Sequence, residues 1–240
     1  MDTIQEEKPD FDIIYEEGSV LAVNKRAGLL TQAPAGIDSL EFQVKDYLTR
    51  RDKKTGKCYL GIPHRLDRPA SGVILFTKNS RAANKLCEQF QERSVEKYYW
   101  ALVGGVIEED QGTWNDYMRK IPGRAEAEIL SPMHPDAREA ILHFEVLRRF
   151  DQFTWLKIHL ETGRTHQIRL QCGSRGFPLL GDALYGSSIP FGEQFEDERL
   201  RAIALHAHEI SFVHPQTKEK IHLTAPVSPT WTECGIDGEI

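Results

Sequence analysis

The spacing of apolar residues along the chain predicts short strands mixed with helices, without a regular strand–helix alternation. Phe11–Lys25 (FDIIYEEGSVLAVNK) predicts two strands joined by a turn at Glu17–Gly18. Between Asp38 and Arg50, the residues Leu40, Val44, Tyr47 and Leu48 fit one helix face, and Asp38 and Glu41 have the spacing of a capping box. The apolar run Val73–Thr77 predicts a buried strand. A helix follows it, with Ser80 as cap and Ala83, Leu86, Cys87 and Phe90 toward the core. Lys97–Val103 (KYYWALV) is aromatic-rich and strand-like, ending in a turn at Gly104–Gly105. Leu142, Phe144 and Val146, then Leu156, Ile158 and Leu160, repeat every second residue. They predict a hairpin around Asp151–Gln152 in a sheet wetted on one face. Thr165 is placed to cap a helix running to Gly173, and Asp197–His206 predicts another. His208–Val213 and Ile221–Thr224 predict short closing strands. This order favours an α+β domain, a mixed and mainly antiparallel central sheet flanked by helices and loops.

No repeat, low-complexity tract or linker divides the chain. The expected organisation is an acidic N-terminal tail over 1–10, one domain over 11–225, and a C-terminal tail over 226–240. No stretch approaches the ~18 apolar residues of a membrane span. The first twenty residues hold seven acids and one lysine, the opposite of a basic signal-peptide start, so a cytoplasmic protein is expected. Cys58, Cys87, Cys172 and Cys234 are scattered, and reduced structural thiols are the expectation. The net charge of −6 opposes a nucleic-acid partner until its distribution is read. Residues 1–20 carry −6 and residues 226–240 carry −3, which leaves +3 for residues 21–225. The middle of the chain is therefore free to present a basic face to phosphate.

Two polar segments carry candidate chemistry. In Pro63–Gly72 (PHRLDRPASG), Asp67 lies among His64, Arg65 and Arg68 just ahead of the predicted buried strand. Neighbouring cations favour an ionised carboxylate, which suits a nucleophile or a stabiliser of an electron-poor sugar carbon; a turn held by an Arg–Asp pair fits equally well. In Glu161–Arg169 (ETGRTHQIR), Arg164 stands just before a predicted helix start. There it is placed to pair with a carboxylate or bind phosphate, or simply to be a solvated cation beside a capped helix.

Taken together, HRLDRPASG and ETGRTHQIR resemble the RluA-type pseudouridine synthase family. LAVNKRAGLL, Lys97–Ala101 as K-x-Y-x-A, Gly181–Gly186 as GDxxYG, and Leu205–Ala207 through His214–Pro215 are similar to further segments of that family in the same order. The resemblance implies a pseudouridine synthase fold with an active-site cleft across the sheet. It implies Asp67 as nucleophile, Arg164 as its partner, Tyr99 as the ring that stacks on uracil and serves as base, and Arg65 as the filler of the gap left by a flipped nucleotide. His64, Arg68, Thr165, His166 and Gln167 lie within the same motifs and are candidates for substrate contact. Ala70 stands where the family usually has threonine, and Arg26 where it often has proline.

The implied partner is structured RNA, an rRNA or tRNA stem-loop, with no cofactor and no metal. Since about ten residues precede the inferred domain, recognition is expected to come from the domain itself. A non-catalytic RNA-binding assembly factor of the same fold is the alternative; loss of the aspartate, tyrosine or arginine would favour it, and none is lost. His206, His208, Glu209 and His214 lack helical metal-site spacing, so structural or RNA-facing histidines are expected. Arg50, Arg51, Lys53, Lys54 and Lys57 beside Tyr59 form a basic run, either an RNA contact or a solvated loop.

Overall fold

In the computed structural model, which describes residues 9–53, 56 and 58–236, the apolar segments pair into one ten-stranded sheet. The strands are β1 (Asp12–Glu17), β2 (Val20–Lys25), β3 (Ser71–Thr77), β4 (Glu96–Gly104) and β5 (Gln111–Lys120). They continue with β6 (Ala127–Ile129), β7 (Arg138–Arg149), β8 (Phe153–Leu160), β9 (Leu205–Val213) and β10 (Lys220–Thr224). Their spatial order is β1-β2-β3-β9-β4-β8-β7-β5-β6, with β10 also paired to β9. Every pairing is antiparallel except β3–β9, a short parallel contact in which Ser71 faces His206 and Gly72 faces Ala207. The sheet is thus mixed and mainly antiparallel, as its alternating pattern predicts.

Among the described residues four α-helices flank it: α1 (Leu40–Arg51), α2 (Ser80–Gln91), α3 (Gln167–Ser174) and α4 (Pro229–Glu233). The apolar face of α1 packs Leu40, Val44 and Leu48 into a core with β2 and β3. Ile168 and Cys172 of α3 join a second core with Ala101, Leu142, Leu156 and Ile158. A third core lies around Trp100, Trp155, Phe191 and Trp231. Buried and half-buried positions alternate along β7, matching a sheet wetted on one face. On β8, by contrast, Thr154, Trp155 and Leu156 are buried in succession, because the third core covers the opposite face there.

Local chemistry moves several expected boundaries. Ser39 caps α1, accepting from the Phe42 N–H, while Asp38 accepts instead from the Gln43 amide. Asn79, rather than Ser80, caps α2 by accepting from the Ala82 N–H. Thr165 does not cap α3; the cap position is His166, left-handed at φ 53°, with no side-chain cap bond. Asp197–His206 is not a helix. It holds only a 3-10 turn at Glu198–Leu200, and its backbone joins neighbours instead: the Ala204 N–H donates to Leu180 O, and Ala204 O accepts from the Leu102 N–H. The segment from residue 226 is also no free tail, because Trp231 and Ile236 are buried in the third core. Strands β5 and β6 go unpredicted because β5 buries Met118 alone. Of the acidic N-terminal tail, residues 1–8 lie outside the described residues, as do Lys54 and Lys57 of the basic run.

Candidate active site

Asp67 sits in the loop that enters β3, four residues ahead of the parallel contact with β9. The residues on either side of it are clamped. Leu66 exchanges two bonds with the Thr31 hydroxyl, donating its N–H at 3.2 Å and accepting at its carbonyl at 3.0 Å. The Arg68 carbonyl accepts from Lys25 Nζ at 3.2 Å, and the Arg68 side chain donates to Gly28 O at 3.1 Å. Lys25 is fully buried and also donates to Leu29 O and Arg26 O. Burial lowers its ammonium to about 7, with the Asp67 carboxylate opposing the shift. Such a loop has little freedom to move its carboxylate.

The charge around Asp67 comes from the start of α3. Arg169 Nη1 lies 3.5 Å from Asp67 Oδ2, and His166 Nε2 lies 3.8 Å from Asp67 Oδ1. Arg169 also makes a buried fork to Asp182, with Nε–Oδ2 at 2.7 Å and Nη2–Oδ1 at 2.8 Å. The fork fixes the guanidinium plane and leaves Nη1 for Asp67 and for His166 Nε2, at 3.2 Å from the latter. A guanidinium only donates, so His166 Nε2 accepts, and the neutral ring carries its proton on Nδ1, facing Tyr185 Oη at 2.9 Å. Burial lowers His166, partly opposed by Asp67, in keeping with that neutral ring. Arg169 also lies over the Tyr185 ring, 5.1 Å from its centroid.

Tyr99 reaches the site from β4. Ala207 pairs with Tyr99 on one side and with Gly72 on the other, so the three residues are level across adjacent strands. The register of β4 against β9 shifts between Tyr98 and Tyr99, a bulge of the kind that re-aims a side chain. Burial, with Asp67 adding to it, pushes the Tyr99 phenol well above its usual range. The cleft has two adjoining chambers that share part of their lining. One of about 520 Å³ holds Asp67, His166 and Arg169; one of about 550 Å³ holds Tyr99, Arg93 and Lys97. Gln32, Arg65, Gly163 and Arg164 line both.

The structure brings Asp67, Tyr99, Arg65 and Arg164 to one cleft but gives Arg164, Gln167 and His64 contacts other than those expected. Arg164 does not pair with Asp67; its Nε donates to Glu139 O, and the cation beside Asp67 is Arg169. Gln167 is buried, its Oε1 accepting from the Thr162 hydroxyl and the Arg164 N–H and its Nε2 donating to Ile141 O. His64 lines the second chamber, yet its Nε2 accepts from the Leu75 N–H and its ring stacks on Phe90. Burial lowers it to about 3, helped by Lys97, so it is a neutral brace. Thr165 lines the Asp67 chamber without capping. Arg169, Asp182 and Tyr185 went unassigned, although each lies inside a motif already singled out, ETGRTHQIR or GDALYG.

His206 is structural: it pairs with the Ser71 hydroxyl and Ala225 O, and burial lowers it to about 4. Among the described residues, no group of three or more His, Cys, Asp or Glu is placed to hold a metal ion. Nor is any described helix long and apolar enough to cross a membrane.

Residues 19–174 match the family model for RNA pseudouridylate synthase. YlyB of Bacillus subtilis, named as an uncharacterized RNA pseudouridine synthase, is 36% identical over 95% of this chain and 72% of its own. The ribosomal large subunit pseudouridine synthase D of Neisseria meningitidis is 33% identical, over 90% of this chain and 58% of its own. The tRNA pseudouridine synthase C of Haemophilus influenzae is 33% identical, over 92% and 95%. The human RNA pseudouridylate synthase domain containing 4 superposes with a TM-score of 0.74 over 92% of this chain and 90% of its own, at 18% identity, and so shares the fold.

Proposed function

The chain belongs to the RluA-type RNA pseudouridine synthases, which are isomerases, and on that premise we propose that it isomerises a specific uridine of rRNA or tRNA with Asp67 as nucleophile. The observation that supports this most is the Asp67 carboxylate, held in a clamped loop 3.5 Å from Arg169 at the wall of a cleft that also contains Tyr99.

The isomerisation breaks the bond from uracil N1 to sugar C1′ and forms one from C5 to C1′. The proton on C5 is lost and N1 gains one, so nothing is oxidised or reduced. A uridine inside folded RNA must first be extruded, at a cost of a few kcal/mol. In our reading Arg65, exposed at the mouth of both chambers, takes its place in the stack, and the extruded base lies against Tyr99. Asp67 attacks or stabilises the electron-poor C1′, with Arg169 balancing its charge. Because the Tyr99 phenol stays protonated near neutral pH, it serves as stacking surface and orients the water that takes the C5 proton. The relatives divide between ribosomal and transfer RNA, so both remain the proposed target class.

The test is pseudouridine mapping of rRNA and tRNA from cells lacking the protein, complemented with wild type or Asp67→Asn. The expected result is one or more sites lost on deletion, restored by wild type and not by Asp67→Asn. Survival of every site after deletion would overturn the proposal.

A further inference from the structure

Beside Arg65, the second chamber is lined by three cations to which the proposed isomerisation gives no role, Arg93, Lys97 and Arg164, against the single carboxylate of Glu161. That carboxylate is already engaged by Arg93 at 3.1 Å and approached by His143 at 3.5 Å. Lys97 lies two residues before Tyr99 on β4, on the same face of the sheet. Its ammonium makes no hydrogen bond or ion pair with any described residue. Arg164 spends its Nε on Glu139 O and makes no ion pair with a described carboxylate.

Arg93 adds an independent observation. It follows the C-cap of α2 with φ 59°, and the Arg93 N–H donates to Phe90 O while the Ser94 N–H donates to Gln89 O. This is the Schellman closure, whose left-handed residue is usually glycine. An arginine at such a position is strained, and strain of this kind persists where the side chain has a use.

Resting on the isomerase reading, we propose that Arg93, Lys97 and Arg164 form a cradle for an RNA backbone phosphate adjoining the extruded uridine. A nucleotide carries its phosphate one sugar away from its base, so cations beside the stacking ring of Tyr99 lie where the backbone must pass. Burial and the Arg93 charge together lower Lys97; burial, Arg93 and Arg138 lower Arg164. A bound phosphate relieves that repulsion.

The test measures binding of a labelled oligouridylate to the full chain over a series of KCl concentrations, for wild type, Lys97→Met, Lys97→Arg and Arg93→Gly. Lys97→Met and Arg93→Gly are expected to bind several-fold more weakly. Each should lower the slope of log Kd against log salt by about 0.7, the loss of one phosphate contact to a single strand. Lys97→Arg is expected to restore both. Arg93→Gly is expected to keep or raise the thermal midpoint, since glycine relieves the left-handed strain, which separates lost binding from lost folding. Unchanged affinity and slope in Lys97→Met and Arg93→Gly would overturn the cradle while leaving the isomerase reading intact. If wild type makes no pseudouridine yet these variants bind weakly, the isomerase reading falls, and with it the extruded uridine, while the phosphate contacts of Arg93 and Lys97 stand.

Discussion

Arg169 lies between two carboxylates and serves them differently. Asp182 takes both arms of a buried fork, whereas Asp67 receives only Nη1 at 3.5 Å. Asp182 therefore holds the guanidinium, and on the proposed mechanism Asp67 uses it. Asp182→Ala leaves a buried guanidinium without its main partner, and we expect a loss of about 3–5 kcal/mol in urea unfolding. Arg169→Met removes the charge beside Asp67 and is expected to lower turnover on the order of 10²-fold, with RNA binding much less affected. At this scale the sequence showed where the site lies better than which residue does what. Asp67 and Tyr99 stand out as candidates because each sits in a distinctive motif, and the structure places both on the same cleft. Arg164 and Arg169 share one motif, five positions apart, and only the left-handed turn at His166 with the onset of α3 decides which of them faces Asp67.

Among the elements, the parallel contact between β3 and β9 controls the placement of the Asp67 loop. A Cβ on Gly72 would lie 2.3 Å from Ala207 O and 2.5 Å from Ala207 N, and the backbone there has φ +117°. Gly72→Ala is expected to cost on the order of 3 kcal/mol and to misplace Asp67, read together as a lower unfolding midpoint and lost turnover. The same strands are pinned by histidines, the half-buried His64 to β3 and the buried His206 to the Ser71 hydroxyl. Burial lowers His64 to about 3 and both His206 and His208 to about 4. An unfolded chain takes up these protons below about pH 6.5, and the folded chain does not. Their stability contribution is therefore complete above about pH 6.5 and declines as pH falls toward about 4. Urea midpoints should fall across that window, and His206→Gln should flatten the decline. The pattern of apolar residues was enough to predict β1–β4 and the β7–β8 hairpin, where apolar residues alternate or cluster. It failed at residues 197–206, whose backbone groups bond to segments distant in sequence, and at β5, whose side chains are mostly half-exposed.

For the whole molecule, a net charge of −6 and a cation-lined cleft coexist because the acids are concentrated toward the chain ends. Composition alone argued against an RNA partner; placement of Arg65, Arg93, Lys97 and Arg164 on one chamber reverses that argument. The segment over 226–240 is expected from sequence to be a C-terminal tail, yet Trp231 packs edge-on to Phe191 with ring centroids 5.5 Å apart. Trp231→Ala is expected to cost about 3–5 kcal/mol, measured by urea unfolding, because it empties part of the third core. The central claim is that Asp67 carries a uridine through to a bond at C5, and that bond cannot form without loss of the C5 proton. The most direct measurement is tritium release from rRNA and tRNA labelled at uridine C5. Wild type is predicted to release tritium, and Asp67→Asn to remain at background while still binding the RNA. Release by Asp67→Asn at the wild-type rate would contradict the account.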